Sequence, residues 1–207
     1  MTKVRFGAAV LFALAGSGAL ASAQNGIGGE EALAAQAMRN FAICAADRSP
    51  GGARDLLVAD RHARSYPEAV RRFARGHNDC ASGATLRFGG ILLRGGLAEG
   101  LLRAPLRDAG LASLVAHDPS RPAIAADNAS DAMALCTVRE APAAVEALLA
   151  AEPGTAAEDV AAAALPSTMT ACLTAGQQLQ ANRSGLRALL AISAFRLVEH
   201  NRVSGAR

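Results

Sequence analysis

Four cysteines are the first candidates for chemistry in this 207-residue sequence: Cys44, Cys80, Cys136 and Cys172. A thiolate can attack a substrate, bind a metal or form a disulfide. The four lack the C-x₂-C pairs of zinc sites, the C-x-x-C motif of thiol oxidoreductases and the C-x-x-C-H motif that attaches haem. The spacing therefore favours disulfides and predicts neither a metal nor another cofactor. Free structural thiols, a metal site and a cysteine nucleophile are the alternatives.

The segment His77-Asn78-Asp79-Cys80 concentrates polar side chains beside one of these cysteines. An acid–base site of His77, Asp79 and Arg75 would use an imidazole that titrates near neutral pH. The same residues also suit the end of a helix, where a histidine favours the negative end of the helix dipole and Asn-Asp forms a turn. We prefer the helix end, with an enzyme or enzyme accessory as the alternative.

Arginines cluster between residues 61 and 94, and they outnumber the acidic residues there, Glu68 and Asp79. Their guanidinium groups can bind phosphates and carboxylates through paired donors, which suggests an anionic envelope component or an acidic protein as partner. A solvated helix face, with arginine enriched by coding bias, is the alternative. Few aromatic residues accompany them, so nucleic acid is not expected. The candidate anion-binding residues are Arg61, Arg64, Arg71, Arg72 and Arg75.

The N-terminus has the layout of a secretory signal peptide. Lys3 and Arg5 precede an apolar stretch from residue 6 to about residue 20, and Ala21-Ser22-Ala23 supplies a small-residue cleavage site. The sequence predicts cleavage after Ala23 and a mature chain that is periplasmic or secreted; an uncleaved anchor is the alternative. No later stretch approaches the roughly 18 apolar residues of a membrane span. Cysteines exported to an oxidising compartment are expected to pair.

The composition predicts an all-α fold. Hydrophobic residues make up 51% of the chain, but many of them are alanine, tryptophan is absent and there is one tyrosine. Alanine is the best helix former and a poor strand residue. The formal net charge is +3, of which Lys3 and Arg5 contribute two charges. The small remainder gives no reason to expect a highly charged partner such as nucleic acid.

Two tandem repeats are predicted by a shared register. Placing Cys136 over Cys44 also superimposes Pro142 on Pro50, Leu148-Leu149 on Leu56-Leu57 and Cys172 on Cys80, and a shift of one residue then superimposes Leu186-Arg187 on Leu93-Arg94. Chance matching of Ala- and Leu-rich helices is the alternative. Because a duplicated unit most simply carries its own bridge, the register selects Cys44–Cys80 and Cys136–Cys172 from three possible connectivities.

The register and the signal peptide together predict the organisation of the chain. A signal peptide at 1–23 is followed by a helical repeat at 24–109, a linker at 110–128 and a second repeat at 129–207. Since each repeat has few large apolar residues, the two disulfide-closed repeats are expected to pack as one helical body.

Local signals predict where several helices begin. Ser49-Pro50 suits a helix start, and capping-box spacing links Ser65 with Glu68 and Thr155 with Glu158. Ser130 is a candidate cap for the first helix of the second repeat. In the first helix of the chain, Leu33 shares an apolar stripe with Phe41 and Cys44.

The segment L-R-G-x-L-A-E-x-L, together with the paired cysteines and the signal peptide, resembles a family of small exported bacterial helical proteins. Its matching residues are Leu93, Arg94, Gly95, Leu97, Ala98, Glu99 and Leu101. The second repeat departs from this pattern, since Leu186-Arg187-Ala188-Leu189 lacks both the glycine and the glutamate. The resemblance implies neither an activity nor a cofactor. The sequence thus favours a non-enzymatic, exported protein with a binding or structural role.

Overall fold

A computed structural model describes residues 19–81, 90–120, 122–174, 176–177 and 181–204, with side chains described within these ranges from residue 33 to residue 203. All regular elements in these ranges are helical, which confirms the all-α prediction. The described helices are α1 (Ala19–Arg48), α2 (Pro50–Val58), α3 (Tyr66–Arg75), α4 (Gly90–Ala109), α5 (Leu111–Leu114), α6 (Ala129–Glu140), α7 (Pro142–Ala150), α8 (Ala156–Ala163), α9 (Pro166–Cys172) and α10 (Arg183–Ser204), with a 3₁₀ turn at Asn78–Ala81. Within the described part of the chain, no helix has the length and apolarity needed to span a bilayer.

The predicted signal peptide is only partly covered by these ranges. Lys3, Arg5 and the apolar stretch through residue 18 lie outside the described residues. Arg87, one of the clustered arginines between residues 61 and 94, lies outside them too. The predicted cleavage site at Ala21-Ser22-Ala23 falls within α1.

Two disulfides, Cys44–Cys80 and Cys136–Cys172, confirm the predicted pairing. Each joins residues 36 positions apart in sequence, with Cα atoms 5.7 Å apart. The first ties α1 to the 3₁₀ turn, and the second ties α6 to the end of α9. All four sulfurs are therefore bridged, which leaves no thiol for catalysis or metal binding. Such bridges are typical of proteins in oxidising extracellular or periplasmic compartments.

Helices α4 and α10 pack against each other at the centre of the fold. Helices α1 and α2 cover α4, while α6 and α7 cover α10. A single cluster of buried residues runs through all of these helices, with Leu97 of α4 and Leu190 of α10 fully enclosed. The two halves of the chain thus share one core.

The packing of the first half recurs in the second. Helix α1 contacts α2, the 3₁₀ turn and α4, just as α6 contacts α7, α9 and α10, and α2 contacts α3 as α7 contacts α8. Helices α2 and α7 each have nine residues and begin with Pro50 and Pro142. These matching contacts and helix lengths agree with the predicted register, and the duplication itself stays a prediction. Below, two residues that this register superimposes are called counterparts.

The central contact between α4 and α10 is a close approach of two counterparts, Gly95 and Ala188. A Cβ added to Gly95 would lie 2.5 Å from the Ala188 Cα and would overlap its Cβ. Two further glycines of α4, Gly96 and Gly100, similarly face Ala42 and Ala46 of α1. Small side chains therefore let three helices pack almost backbone to backbone, which explains how an Ala-rich sequence forms a core.

Replacing Gly95 with alanine should separate α4 from α10 and lower the free energy of unfolding by about 1–3 kcal/mol, the usual cost of overpacking. The clash opposes the gain of up to about 1 kcal/mol that alanine brings to a helix interior. Urea unfolding followed by circular dichroism measures the difference. Gly51→Ala is the matched control, because an added Cβ there meets nothing within 4 Å. If Gly95→Ala were as stable as Gly51→Ala, the close approach would be wrong.

Some local predictions were wrong. Leu33 is 67% exposed, since the buried stripe of α1 runs through Met38, Phe41 and Ala42 instead. Ser65 has helical backbone angles and makes no cap hydrogen bond, because a capping side chain needs an extended backbone to reach back to the helix.

Three further details of the second half differ from expectation, wholly or in part. Asn128, rather than Ser130, caps α6 by accepting a hydrogen bond from the Asp131 N–H at 3.0 Å. The predicted linker at 110–128 contains α5, and Leu111 and Val115 lie in the core. The capping box at Thr155 and Glu158 was only partly right: Thr155 accepts from the Glu158 N–H, while the Glu158 carboxylate accepts from the Gly154 N–H.

Candidate anion-binding site

The residues predicted as a possible acid–base site are engaged separately. His77 Nδ1 lies 2.7 Å from a backbone carbonyl four residues earlier, at the end of α3. Asp79 forms an ion pair with Arg48, and Arg75 forms one with Glu68. Because each side chain has its own structural partner, the arrangement fits the helix-end interpretation. Within the described ranges, no group of three or more His, Cys, Asp or Glu residues is placed to hold a metal ion.

The five predicted anion-binding arginines are all exposed, but they do not form one site. Arg71 and Arg75 both bond to the Glu68 carboxylate, at 3.0 Å each, and these hydrogen bonds lower the pKa of that carboxyl. Arg61 and Arg71 line a cavity, whereas Arg64, Arg72 and Arg75 do not. Two of the five predicted arginines therefore belong to this cavity, and the other three lie elsewhere on the surface.

The cavity lined by Arg61 and Arg71 has a volume of about 690 Å³, which is within the range of small-molecule sites. It lies where the loop after α2 and the start of α3 face α4 and α10. Arg94 and Arg196 contribute two more guanidinium groups, and Tyr66, the only tyrosine in the chain, also lines it. We call it the Arg94 cavity.

Two of the arginines around the Arg94 cavity are already paired with carboxylates. Arg196 donates to both carboxylate oxygens of Asp131, at 2.5 and 2.6 Å. Arg61 lies 3.7 Å from the Asp127 carboxylate. Arg71 shares the Glu68 carboxylate with Arg75, so Arg94 is the one lining arginine without a described carboxylate contact.

Arg94 is half-buried, and it makes no ion pair with any described residue. Its Nη2 donates to the Leu57 carbonyl at 3.2 Å, and its Nε is buried without a hydrogen-bond partner. Burial, followed by the charges of Arg61 and Arg196, lowers the pKa of this guanidinium, although Tyr66 and Asp127 act in the opposite direction. A cation in this position lacks the partner that buried charges usually have.

Arg187, the counterpart of Arg94, shows what such a partner looks like. Its Nη2 donates to the carbonyl of Leu149, at 2.9 Å, just as Arg94 bonds to the counterpart residue Leu57. In addition, it bonds to Glu99 at 2.8 and 3.0 Å and to Glu158 at 3.1 Å. Burial disfavours the charge of Arg187, but the two carboxylates outweigh it and raise the pKa.

The counterparts of those two glutamates are Ile192 and Tyr66, and both line the Arg94 cavity. Neither side chain supplies a negative charge at neutral pH, and burial, the largest influence on the Tyr66 hydroxyl, raises its pKa. Around Arg187 the two glutamates leave a space of only about 30 Å³. One guanidinium is thus enclosed by the protein's own carboxylates, while its counterpart faces an open cavity.

Comparison with known proteins adds no relative: the chain matches no protein-family model, and neither curated proteins nor solved structures give a significant match. The resemblance inferred from the sequence therefore stays a prediction. The site rests on the geometry of Arg94 and its neighbours alone.

Arg94 and Arg196 were both missing from the candidate set. Arg94 carried a signal, because the predicted register superimposes it on Arg187. Arg196 had none, since it lies in a different helix about a hundred residues further along the chain.

Proposed function

We propose that this chain is an exported, disulfide-stabilised binding protein that holds a small anionic ligand in the Arg94 cavity. The observation that carries the proposal is the half-buried Arg94 guanidinium, which borders a cavity of ligand size and has no carboxylate partner in the described part of the chain. An anion that enters the cavity would supply the charge that the protein does not. Such charge-assisted hydrogen bonds are among the stronger polar interactions.

Export is the second part of the proposal. The signal-like N-terminus with predicted cleavage after Ala23, and the two disulfides, support a periplasmic or secreted protein. In that compartment, a ligand could be a free small anion or an anionic envelope component. The exposed arginines Arg64, Arg72 and Arg75 would raise the positive potential near the cavity and favour encounter with anions.

Internal duplication is also proposed, and it explains the unequal arginine environments. Equivalent contacts join Arg94 to Leu57 and Arg187 to Leu149. In this view, one copy kept two carboxylates beside its arginine and became a structural core, while the other lacks them and became a binding site.

Thermal unfolding with a panel of anions tests the binding function. The panel should contain short and long carboxylates, inorganic phosphate and sulfate esters. A bound anion at a hundred times its Kd adds about 2.7 kcal/mol, which corresponds to a rise in Tm of roughly 5–10 °C for a chain of this size. Arg94→Gln should abolish that rise.

Arg107→Gln is the matched control, because it removes the same charge from an exposed position of α4 that does not line the Arg94 cavity. It should leave the anion-induced rise intact. The proposal fails if no anion stabilises the parent protein more than it stabilises Arg94→Gln.

A further inference from the structure

We propose that the ligand of the Arg94 cavity is a monocarboxylate with an apolar tail, its carboxylate bonding to Arg94 and its tail lying against the aliphatic side chains of the cavity. This inference rests on the proposed function and specifies its ligand class. Three observations support it: the partner of the counterpart arginine, the balance of charge, and the apolar part of the lining.

The first observation is that the protein satisfies Arg187 with carboxylates. Glu99 binds the Nε and Nη2 edge of that guanidinium, and Glu158 binds Nη1. At Arg94 the Nη2 contact to a backbone carbonyl is the same, so the missing groups are those two carboxylates. Nε is closed off by the protein, and Nη1, the atom that corresponds to the Glu158 contact, makes no hydrogen bond to a described residue. A ligand carboxylate bonded to Nη1 would take the role of Glu158.

The second observation is that the lining already carries two carboxylates. Asp127 and Asp131 contact Arg61 and Arg196, while Arg71 shares the Glu68 carboxylate with Arg75. Arg94 is the lining guanidinium with no described carboxylate contact. A single carboxylate would neutralise Arg94. A phosphate dianion or a polyanion would bring excess negative charge next to Asp127 and Asp131, and desolvated like charges are costly.

The third observation is that much of the remaining lining is aliphatic. Val70 of α3, Leu189 and Ile192 of α10, and Ile91 of α4 border the cavity. Ile91 is 40% exposed although it is a large aliphatic residue. An apolar tail would cover such surface, with a gain of about 25 cal/mol per Å² removed from water. A short carboxylate such as acetate would gain only the charge contact.

Calorimetric titration with decanoate tests this assignment, and Tyr66 fluorescence locates the binding. Because the chain has one tyrosine and no tryptophan, any change in intrinsic emission reports on the cavity wall. Decanoate is expected to bind saturably and to change the emission. Decanol, which lacks the charge, acetate, which lacks the tail, and inorganic phosphate should each bind at least about tenfold more weakly.

Two variants test the contribution of the Arg94 charge and of the missing carboxylate beside it. Arg94→Gln should weaken decanoate binding by about 10–100-fold while leaving decanol binding unchanged. Ile192→Glu places a carboxylate at the counterpart position of Glu99, so it should also remove decanoate binding, by giving Arg94 an internal partner. Arg107→Gln is again the control and should bind decanoate like the parent.

The results also distinguish this inference from the proposed function. Tighter binding of phosphate than of decanoate, lost in Arg94→Gln, would keep the anion-binding function and overturn the carboxylate assignment. Equal binding of decanol and decanoate, or decanoate binding that survives both substitutions, would likewise overturn it. Failure of every anion to bind in an Arg94-dependent way would remove the function and the assignment together.

Discussion

Replacing Arg187 with methionine should lower the free energy of unfolding by about 3–5 kcal/mol, the usual loss when one partner of a buried ion pair is removed. The guanidinium of Arg187 is shared between Glu99 and Glu158, and all three side chains are at most 5% exposed. Glu99 would keep its contact with Arg39 at 2.5 Å. In the described part of the chain, the Glu158 carboxylate would keep the Gly154 N–H as its one hydrogen-bond donor, so most of the loss should come from its uncompensated charge.

Arg94→Met is the matched control for this measurement. It makes the same substitution at the counterpart position and removes a guanidinium that pairs with no described carboxylate. Among the described residues, the hydrogen bond lost is the one to the Leu57 carbonyl, so we expect a change within about 1 kcal/mol. Urea unfolding of both variants gives the two values. Equal losses at Arg94 and Arg187 would mean that Arg94 is a structural cation, and the binding site would lose its basis.

A double-mutant cycle assigns the expected loss at Arg187 to its partners. Glu158→Gln should reduce the additional cost of Arg187→Met, because the charge left unpaired by the arginine substitution is then absent. Additive effects of the two substitutions would show that Glu158 is not the partner that matters.

The sequence predicted the disulfide framework because the relevant signals are local and repeated. Pro50 and Pro142 begin helices of equal length, and the cysteines follow the same interval. Proline at the start of a helix and cysteine pairing in an exported chain each depend on one residue type at one position. Such signals are readable without knowing the tertiary structure.

The predicted set of anion-binding arginines was less accurate, because arginines that are close in sequence need not face the same site in the folded protein. Arg71 and Arg75 lie one turn apart on α3, and both reach the same Glu68, from three and seven positions further along the chain. The cavity instead gathers Arg94 and Arg196 from two central helices. Their encounter depends on how α4 crosses α10, which is set by the close contact of Gly95 with Ala188.

The buried charges could not be predicted for the same reason. Glu99 was noticed only as part of the L-R-G-x-L-A-E-x-L segment, and Arg187 only as a residue in register. Glu99 and Arg187 form an ion pair because α4 packs on α10, which brings together two residues 88 positions apart in sequence. A charged residue is rarely buried without a partner, so its burial is decided by a partner that sequence spacing does not reveal.

Removing the Cys136–Cys172 bridge by substituting both residues with alanine should cost about 3–4 kcal/mol, the loop-entropy value for a bridge across roughly 35 residues. That amount is a large part of the 5–15 kcal/mol by which ordinary domains are stable. The effect should be concentrated at α9, because none of its residues, Pro166–Cys172, is buried. Without the bridge, α9 would be held to α6 by partly exposed contacts alone.

Hydrogen exchange and urea unfolding of Cys136→Ala/Cys172→Ala therefore test one local and one global consequence. The amides of α9 should exchange first, at a free energy well below that of global unfolding, while α10 stays protected in the core. Cys44→Ala/Cys80→Ala is the comparison. Helix α3, which precedes Cys80 in the chain, buries Val70 and Ala74, so its packing should retain part of the protection of its amides from exchange. Equal local exchange in the two variants would show that burial does not decide which bridged segment detaches. A stability of Cys136→Ala/Cys172→Ala within about 1 kcal/mol of the parent would show that packing, and not the bridge, holds α9 in place.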